Sequence, residues 1–190
     1  MHGQWGTGKS TLAKLLPQLI EQSLAQEIKI PIKGGSIQAE YPNSTDIKLF
    51  ECGGSTSSFE IFKVIESLDA VMPIWHNSKH HYFVFDEVDR LTDSAQKALR
   101  SRMDKARCMF FMSTNYLNKI DRGILDRCHC IEMNQIADLS AYVPLGRTVL
   151  AEFDVDTSAV TNERLLALAK ISKGSMRIYK NAVKLEALRQ

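Results

Sequence analysis

Nine consecutive residues, Gly3-Gln4-Trp5-Gly6-Thr7-Gly8-Lys9-Ser10-Thr11, fill every fixed position of the pattern G-x-x-x-x-G-K-[ST]. Glycines at 3, 6 and 8 let the backbone wrap closely. Successive N–H groups and the start of the next helix can then point at phosphate oxygens. Lys9 is placed to reach β- and γ-phosphates, and the Ser10 hydroxyl suits Mg²⁺. These nine residues are therefore expected to hold the phosphates of a nucleoside triphosphate, with ATP the expected nucleotide. Trp5 occupies a variable position of the loop, and no stacking role follows from its place.

A second cluster lies some eighty residues on. His81-Tyr82-Phe83-Val84-Phe85-Asp86-Glu87 is an apolar run ending in two carboxylates, the arrangement called Walker B. At the tip of a parallel strand both acids stand beside the crevice where open α/β sheets bind ligands. Asp86, with Ser10, is expected to hold Mg²⁺, because a hard cation prefers oxygen ligands. Glu87 is expected to orient the attacking water and accept its proton.

The elements that must position these residues are legible from periodicity. Strand-like apolar runs occur at Ile28–Ile32, Ile47–Phe50, Tyr82–Phe85, Met109–Met112 and around Ile131. Helical patterns lie between them at Lys9–Ala25, Phe59–Met72 and Thr92–Lys105. Leu12, Leu15, Leu16 and Leu19 mark the helix after the loop, and Phe59, Phe62, Ile65 and Leu68 read as core. Strands alternating with helices imply an α/β fold with a parallel sheet covered on both faces. After about Asn134 only helical patterns remain, at Leu139–Glu152 with a break near Pro144, Asn162–Ile171 and Ser175–Leu188. Residues 1–136 are thus expected to form the nucleotide-binding core and 137–190 a small helical subdomain. Only Met1 and His2 precede Gly3, so the sequence is expected to begin inside its own domain, without the strand that normally leads into such a loop.

The order of motifs resembles the AAA+ clamp loaders, a family of P-loop NTPases that includes replication factor C small subunits, phage clamp-loader subunits and bacterial polymerase gamma subunits. Asp86-Glu87-Val88-Asp89-Arg90-Leu91-Thr92-Asp93-Ser94-Ala95-Gln96-Lys97-Ala98-Leu99-Arg100 looks like the family's Walker B region and next helix. Phe110-Phe111-Met112-Ser113-Thr114-Asn115 resembles the sensor 1 strand. The stretch from Lys119 to Leu125-Asp126-Arg127-Cys128 resembles the one ending in Ser-Arg-Cys, and Gly174-Ser175-Met176-Arg177 resembles the sensor 2 turn of the lid. The resemblance implies that Asn115 contacts the attacking water or γ-phosphate and that Arg177 contacts the γ-phosphate in cis. It implies too that Arg127 enters a neighbouring subunit's site as an arginine finger. It implies Mg²⁺-dependent ATP hydrolysis by an oligomer of AAA+ subunits that loads a sliding clamp on primer-template DNA during replication. Helicase loading, branch migration and a scaffold subunit that no longer hydrolyses are the competing readings. Asp126 stands where the family has serine, placing a carboxylate beside Arg127. Glu51-Cys52-Gly53 stands where the family's second strand ends in asparagine-alanine-serine. The family's C-terminal collar is expected to be missing, as is the first strand.

Composition narrows little more. The chain has 190 residues, 44% hydrophobic and 24% charged, with a formal net charge of +2. That balance does not by itself announce nucleic acid. The most basic stretch carries Lys97, Arg100, Arg102, Lys105 and Arg107, and the resemblance implies contact there with the DNA backbone. Cys52, Cys108, Cys128 and Cys130 lack paired zinc spacing and read as reduced thiols. Alternation along a short strand would turn His129 away from Cys128 and Cys130. His80 and His81 receive no function. No apolar run reaches membrane-spanning length, and the expectation is a cytosolic protein, nuclear if the host is a eukaryote, with no membrane partner.

Overall fold

The computed structural model describes residues 1–27, 30–32, 35–37, 47–53, 63–67, 80–105, 107–134, 138–153 and 160–189. Three strands, β3 (Ile47–Glu51), β4 (His81–Asp86) and β5 (Cys108–Met112), form a parallel sheet in the order β3-β4-β5. The register sets Phe50 opposite Phe85, Glu51 opposite Asp86 and Phe85 opposite Met112, so all three strands end on one edge of the sheet. β4 lies in the middle, and five of its six residues are buried. This explains why it reads as an unbroken apolar run rather than an alternating one. Its phenylalanines stack across the ladder, Phe85 on Phe50 at 4.8 Å between centroids and Phe83 on Phe110 at 5.2 Å.

Two other apolar runs behave differently. Ile30–Ile32 (β1) pairs antiparallel with Gly35–Ile37 (β2) in a separate two-stranded sheet, so it does not join the parallel one. The strand expected around Ile131 is reduced to a single parallel bridge between His2 and Glu132. Residues 128–130 are not strand either, so alternation does not decide where His129 points.

The helix after the phosphate loop runs Lys9–Glu27. Among its described residues Lys9, Ala13, Pro17 and Glu21, four apart, are buried, while Leu15 and Leu19 are half exposed. The Tyr82 hydroxyl donates to buried Glu21 Oε1 at 2.6 Å, tying this helix to β4. The helix after β4 spans Asp93–Arg100, with Thr92 as its cap accepting from the Ala95 N–H. It stops short of the expected Lys105. Arg102 and Met103 donate to carbonyls three residues back, and the Ser101 hydroxyl takes the Ala98 carbonyl, so the chain tightens and leaves the helix. Of the residues expected as core in the segment before β4, Ile65 is fully buried; Phe59, Phe62 and Leu68 lie outside the described residues. Phe83, Phe85, Val88, Leu99 and Ile124 anchor the same core, each such side chain contributing about 1.5–3 kcal/mol by burial.

Three helices follow at Tyr142–Ala151, Asn162–Ser172 and Met176–Ala187. Pro144 does not break the first of them. It sits in the opening turn, where its missing N–H has no intrahelical partner to lose. Tyr142, Leu150, Leu165, Tyr179 and Val183 form their core. A Cβ at Gly146 would stand 2.4 Å from the Tyr179 hydroxyl oxygen, which is why the crossing uses glycine. Contacts divide the described chain into two units, Met1 with Ser10–Ile131 and His2–Lys9 with Glu132–Gln190. The boundary thus falls near residue 131, and most of the phosphate loop groups with the C-terminal helices.

Candidate nucleotide-binding site

The loop owes its shape to glycine. Gly3, Gly6 and Gly8 have φ of +144°, +76° and +90°. At Gly3 a Cβ would meet the Met133 carbonyl oxygen at 2.5 Å, and at Gly6 it would meet Ser175 Oγ at 2.3 Å. At Gly8 it would meet nothing within 4 Å. Gly8 is therefore required by its backbone angle alone, and the loop is open on that side to an approaching group. Lys9 is 6% exposed, and its ammonium donates to the carbonyls of Gly3 (3.0 Å) and Gln4 (2.5 Å) and to Thr7 Oγ1 (3.5 Å). The Thr7 hydroxyl donates in turn to the Gln4 carbonyl at 3.0 Å, and the Gln4 N–H donates to Asn134 Oδ1 at 3.4 Å. Trp5 is 60% exposed and Thr11 is exposed. Arg177 meets this loop through its backbone, its N–H donating to the Gly6 carbonyl at 3.3 Å, while its side chain is exposed.

In the other unit the Ser10 hydroxyl donates to Asp86 Oδ1 at 2.7 Å, although the two residues are 76 apart in sequence. Ser113, the residue after β5, donates its hydroxyl to the same oxygen. One hydroxyl and one carboxylate are the protein's share of a Mg²⁺ site of the kind completed by phosphate and water oxygens, so the donor set fits that ion. Glu87 adopts a left-handed backbone, φ 56° and ψ 48°, at the corner where β4 turns into a 3₁₀ turn at Val88–Arg90. A non-glycine residue held in that region costs of order 1–3 kcal/mol, and such strain gathers at functional sites. Its carboxylate accepts from Arg90 Nη1 at 2.7 Å. Glu51, Cys52, Gly53, Asp86, Glu87 and Arg90 line a cavity of about 300 Å³ at the strand tips. The Cys52 thiol is pushed up to about 12, first by burial and then by Asp86, Asp89 and Glu87. It therefore stays protonated. Among the described residues no cluster of three or more His, Cys, Asp or Glu could hold a metal ion.

Asn115 stands just past β5, half-buried, in a turn set by Thr114. The Thr114 hydroxyl donates to Asp89 at 2.6 Å and accepts from the Tyr116 N–H at 2.9 Å. Arg127 follows the short helix Arg122–Leu125 and is 40% exposed. Its guanidinium does not take the adjacent Asp126 as hydrogen-bond partner. Nε donates to Asp104 Oδ1 at 3.0 Å and Nη1 to the Gly123 carbonyl at 3.1 Å. Asp104 holds the guanidinium above its ordinary value, with Asp126 a lesser influence. Two of the basic residues after Walker B are also committed, Arg100 to Asp121 and Arg102 to Glu66.

Sequence reasoning missed Ser113 and Arg90 as partners of Asp86 and Glu87, and Asp104 as the partner of Arg127. Only the register of β5 beside β4 signals Ser113, and only the 3₁₀ turn after Glu87 brings Arg90 back to it.

Residues 1–135 match the family described as the ATPase family associated with various cellular activities (AAA). The chain belongs to the AAA family of ATPases. Its relatives include the DNA polymerase III subunit gamma/tau of Mycoplasma pneumoniae, 28% identical over 178 residues, covering 92% of this chain and 25% of that protein. A replication factor C small subunit of Haloarcula marismortui is 34% identical over 101 residues, 52% of this chain and 30% of the relative. Replication factor C subunit 3 of Arabidopsis thaliana is 26% identical over 148 residues, 70% and 42% respectively. The chain therefore spans between a quarter and about two fifths of the length of these curated relatives. The clamp-loader type read from its motifs is the type to which they point. A RuvB mutant of Thermotoga maritima has a similar fold, with TM-score 0.65 and 15% identity over 97% of this chain and 52% of that one. The AAA fold is thus a parallel P-loop sheet with helices on its faces, as the alternation of strands and helices implies.

Proposed function

We propose that this AAA chain binds ATP with Mg²⁺ and hydrolyses it, as one subunit of an oligomeric clamp-loader-type assembly that places a sliding clamp on primer-template DNA. The observation that carries the reading is the Ser10–Asp86 hydrogen bond, which joins the phosphate loop's hydroxyl to the strand-tip acid. Gly3 to Thr11 surround the phosphates through backbone N–H groups, and Lys9 exchanges its loop carbonyls for phosphate oxygens. Ser10 and Asp86 hold Mg²⁺. When bound, the ion neutralises charge on the β- and γ-phosphates. Glu87 accepts the proton of the attacking water, and Asn115 orients that water.

Arg177 senses the γ-phosphate in cis from the start of the last helix. Arg127 acts in a neighbouring subunit's site. Its exposed pairing with Asp104 is of the weak, solvent-screened kind, so the guanidinium can change partners at little cost. The basic residues left exposed, Lys97 and Arg107, contact the DNA backbone without reading bases.

Calorimetry with Mg-ATP tests the reading directly. Parent protein is expected to bind, Lys9→Ala to lose at least about tenfold in affinity, and Glu87→Gln to bind while its turnover falls about 10²-fold or more. Absence of Mg-nucleotide binding in the well-folded parent would remove the proposal.

A further inference from the structure

Ser10 is tied to Asp86 by one hydroxyl, and a second hydroxyl, that of Ser113, ties Asp86 to Glu87. Ser113 is 2% exposed, and its polar atoms all engage residues 85–88. Its N–H donates to the Phe85 carbonyl at 2.9 Å, and its carbonyl accepts from the Val88 N–H at 3.0 Å. Its hydroxyl donates to Asp86 Oδ1 and accepts from the Glu87 N–H at 3.2 Å. A hydroxyl has one proton and two lone pairs, so one serine can serve both neighbours at once. Asp86 Oδ1 thereby receives two hydroxyls, those of Ser10 and Ser113.

We infer that Ser113 is a positioning residue for the nucleotide site: its hydroxyl clasps the metal-side carboxylate of Asp86 and the left-handed backbone of Glu87 in one geometry. The two backbone bonds hold β5 to the turn whatever the side chain. The hydroxyl, together with that of Ser10, sets the rotamer of Asp86, and it satisfies the Glu87 N–H. Losing it leaves the sheet intact, leaves Asp86 Oδ1 held by the Ser10 hydroxyl alone, and leaves the Glu87 N–H without its acceptor. The effect must therefore appear where Asp86 and Glu87 act, in the response to Mg²⁺ and in turnover. Nucleotide binding through the loop and Lys9 is expected to be spared.

The inference rests on the ATPase reading above, and the experiment separates the two. ATP affinity is measured by calorimetry with and without Mg²⁺, together with kcat and KM, for parent, Ser113→Ala and Ser113→Thr. Without Mg²⁺, Ser113→Ala is expected to bind ATP like the parent. The gain in affinity on adding Mg²⁺, and kcat, are expected to fall about 10–100-fold, as for the loss of other groups that orient a metal ligand. Ser113→Thr, which keeps the hydroxyl, is expected to stay near the parent. Should Ser113→Ala melt far below the parent, Ser113→Cys preserves the volume with a poorer hydrogen-bonding group and is expected to show the same Mg²⁺-specific loss. A Ser113→Ala protein with parental Mg²⁺ response and kcat overturns the inference and leaves the ATPase reading standing. So does equal loss of affinity with and without Mg²⁺. A parent that binds no Mg-ATP overturns both.

Discussion

A single glycine can be required for different reasons, and here the reasons separate. Gly6 combines a positive φ with a neighbour already in place, since a methyl there would run into Ser175 Oγ, which caps the helix Met176–Ala187. Gly8 carries only the backbone demand, with open space around it. Gly8→Ala is expected to cost about 1–2 kcal/mol from the left-handed backbone alone. Gly6→Ala is expected to cost more and to lower the melting temperature further, because the cap must move as well. Equal melting temperatures for the two variants would contradict the packing role given to Ser175. Glu87 is the residue-scale counterpart, a left-handed non-glycine at the head of a 3₁₀ turn, held by Ser113 on its backbone and Arg90 on its carboxylate.

Between elements, buried polar groups decide which contacts matter. The hydroxyl of Tyr82 reaches from β4 to Glu21 on the helix that leaves the phosphate loop, and both residues are buried. Tyr82→Phe removes a donor from a buried carboxylate and is expected to destabilise by about 1–3 kcal/mol in denaturant unfolding. The hydroxyl of fully buried Tyr142 has no partner among the described residues, so Tyr142→Phe is expected to be neutral or stabilising in the same assay. Between the helices Asn162–Ser172 and Met176–Ala187, Arg164 grips Glu186 with two 2.9 Å hydrogen bonds and holds its carboxylate below the usual range. A depressed folded value contributes stability that is present above the unfolded value and lost as pH falls through the folded one. The melting temperature is therefore expected to drop on acidification below about pH 4.3. Glu186→Gln should flatten that limb, and an unchanged slope would remove Glu186 from the account.

At the scale of the whole molecule, the proposed chemistry divides between subunits. If Arg127 serves a neighbour's site, Arg127→Ala and Lys9→Ala proteins are each expected to be inactive as assemblies. Mixing them should restore part of the ATPase rate, because some interfaces then pair an intact loop with an intact finger. No recovery in any mixture would contradict action across subunits. Contact with nucleic acid is expected to follow the exposed charge, so Lys97→Ala should reduce the slope of log affinity against log salt by about one, uniformly across DNA sequences.

Much of this was legible along the chain because the chemistry is local. The phosphate loop is nine adjacent residues, and the glycines that let it wrap announce themselves by type and spacing. β4 is buried on both faces, so its composition reports its place directly, and Asp86 and Glu87 follow at its tip. The leucines after the loop mark the helix Lys9–Glu27 correctly, but their periodicity does not say which of its faces is buried. The run at Ile28–Ile32 does hold a strand, Ile30–Ile32, but its antiparallel partner, Gly35–Ile37, was not announced by residue type. Partner choice lay beyond the sequence altogether. Arg127 turning to Asp104 instead of adjacent Asp126, and Ser113 clasping Asp86 across two strands, depend on register and on helix ends. Local residue types determined that this chain carries a phosphate loop and an acidic strand tip. Only folding, by bringing distant donors within 3 Å of one carboxylate, decided how that tip is held.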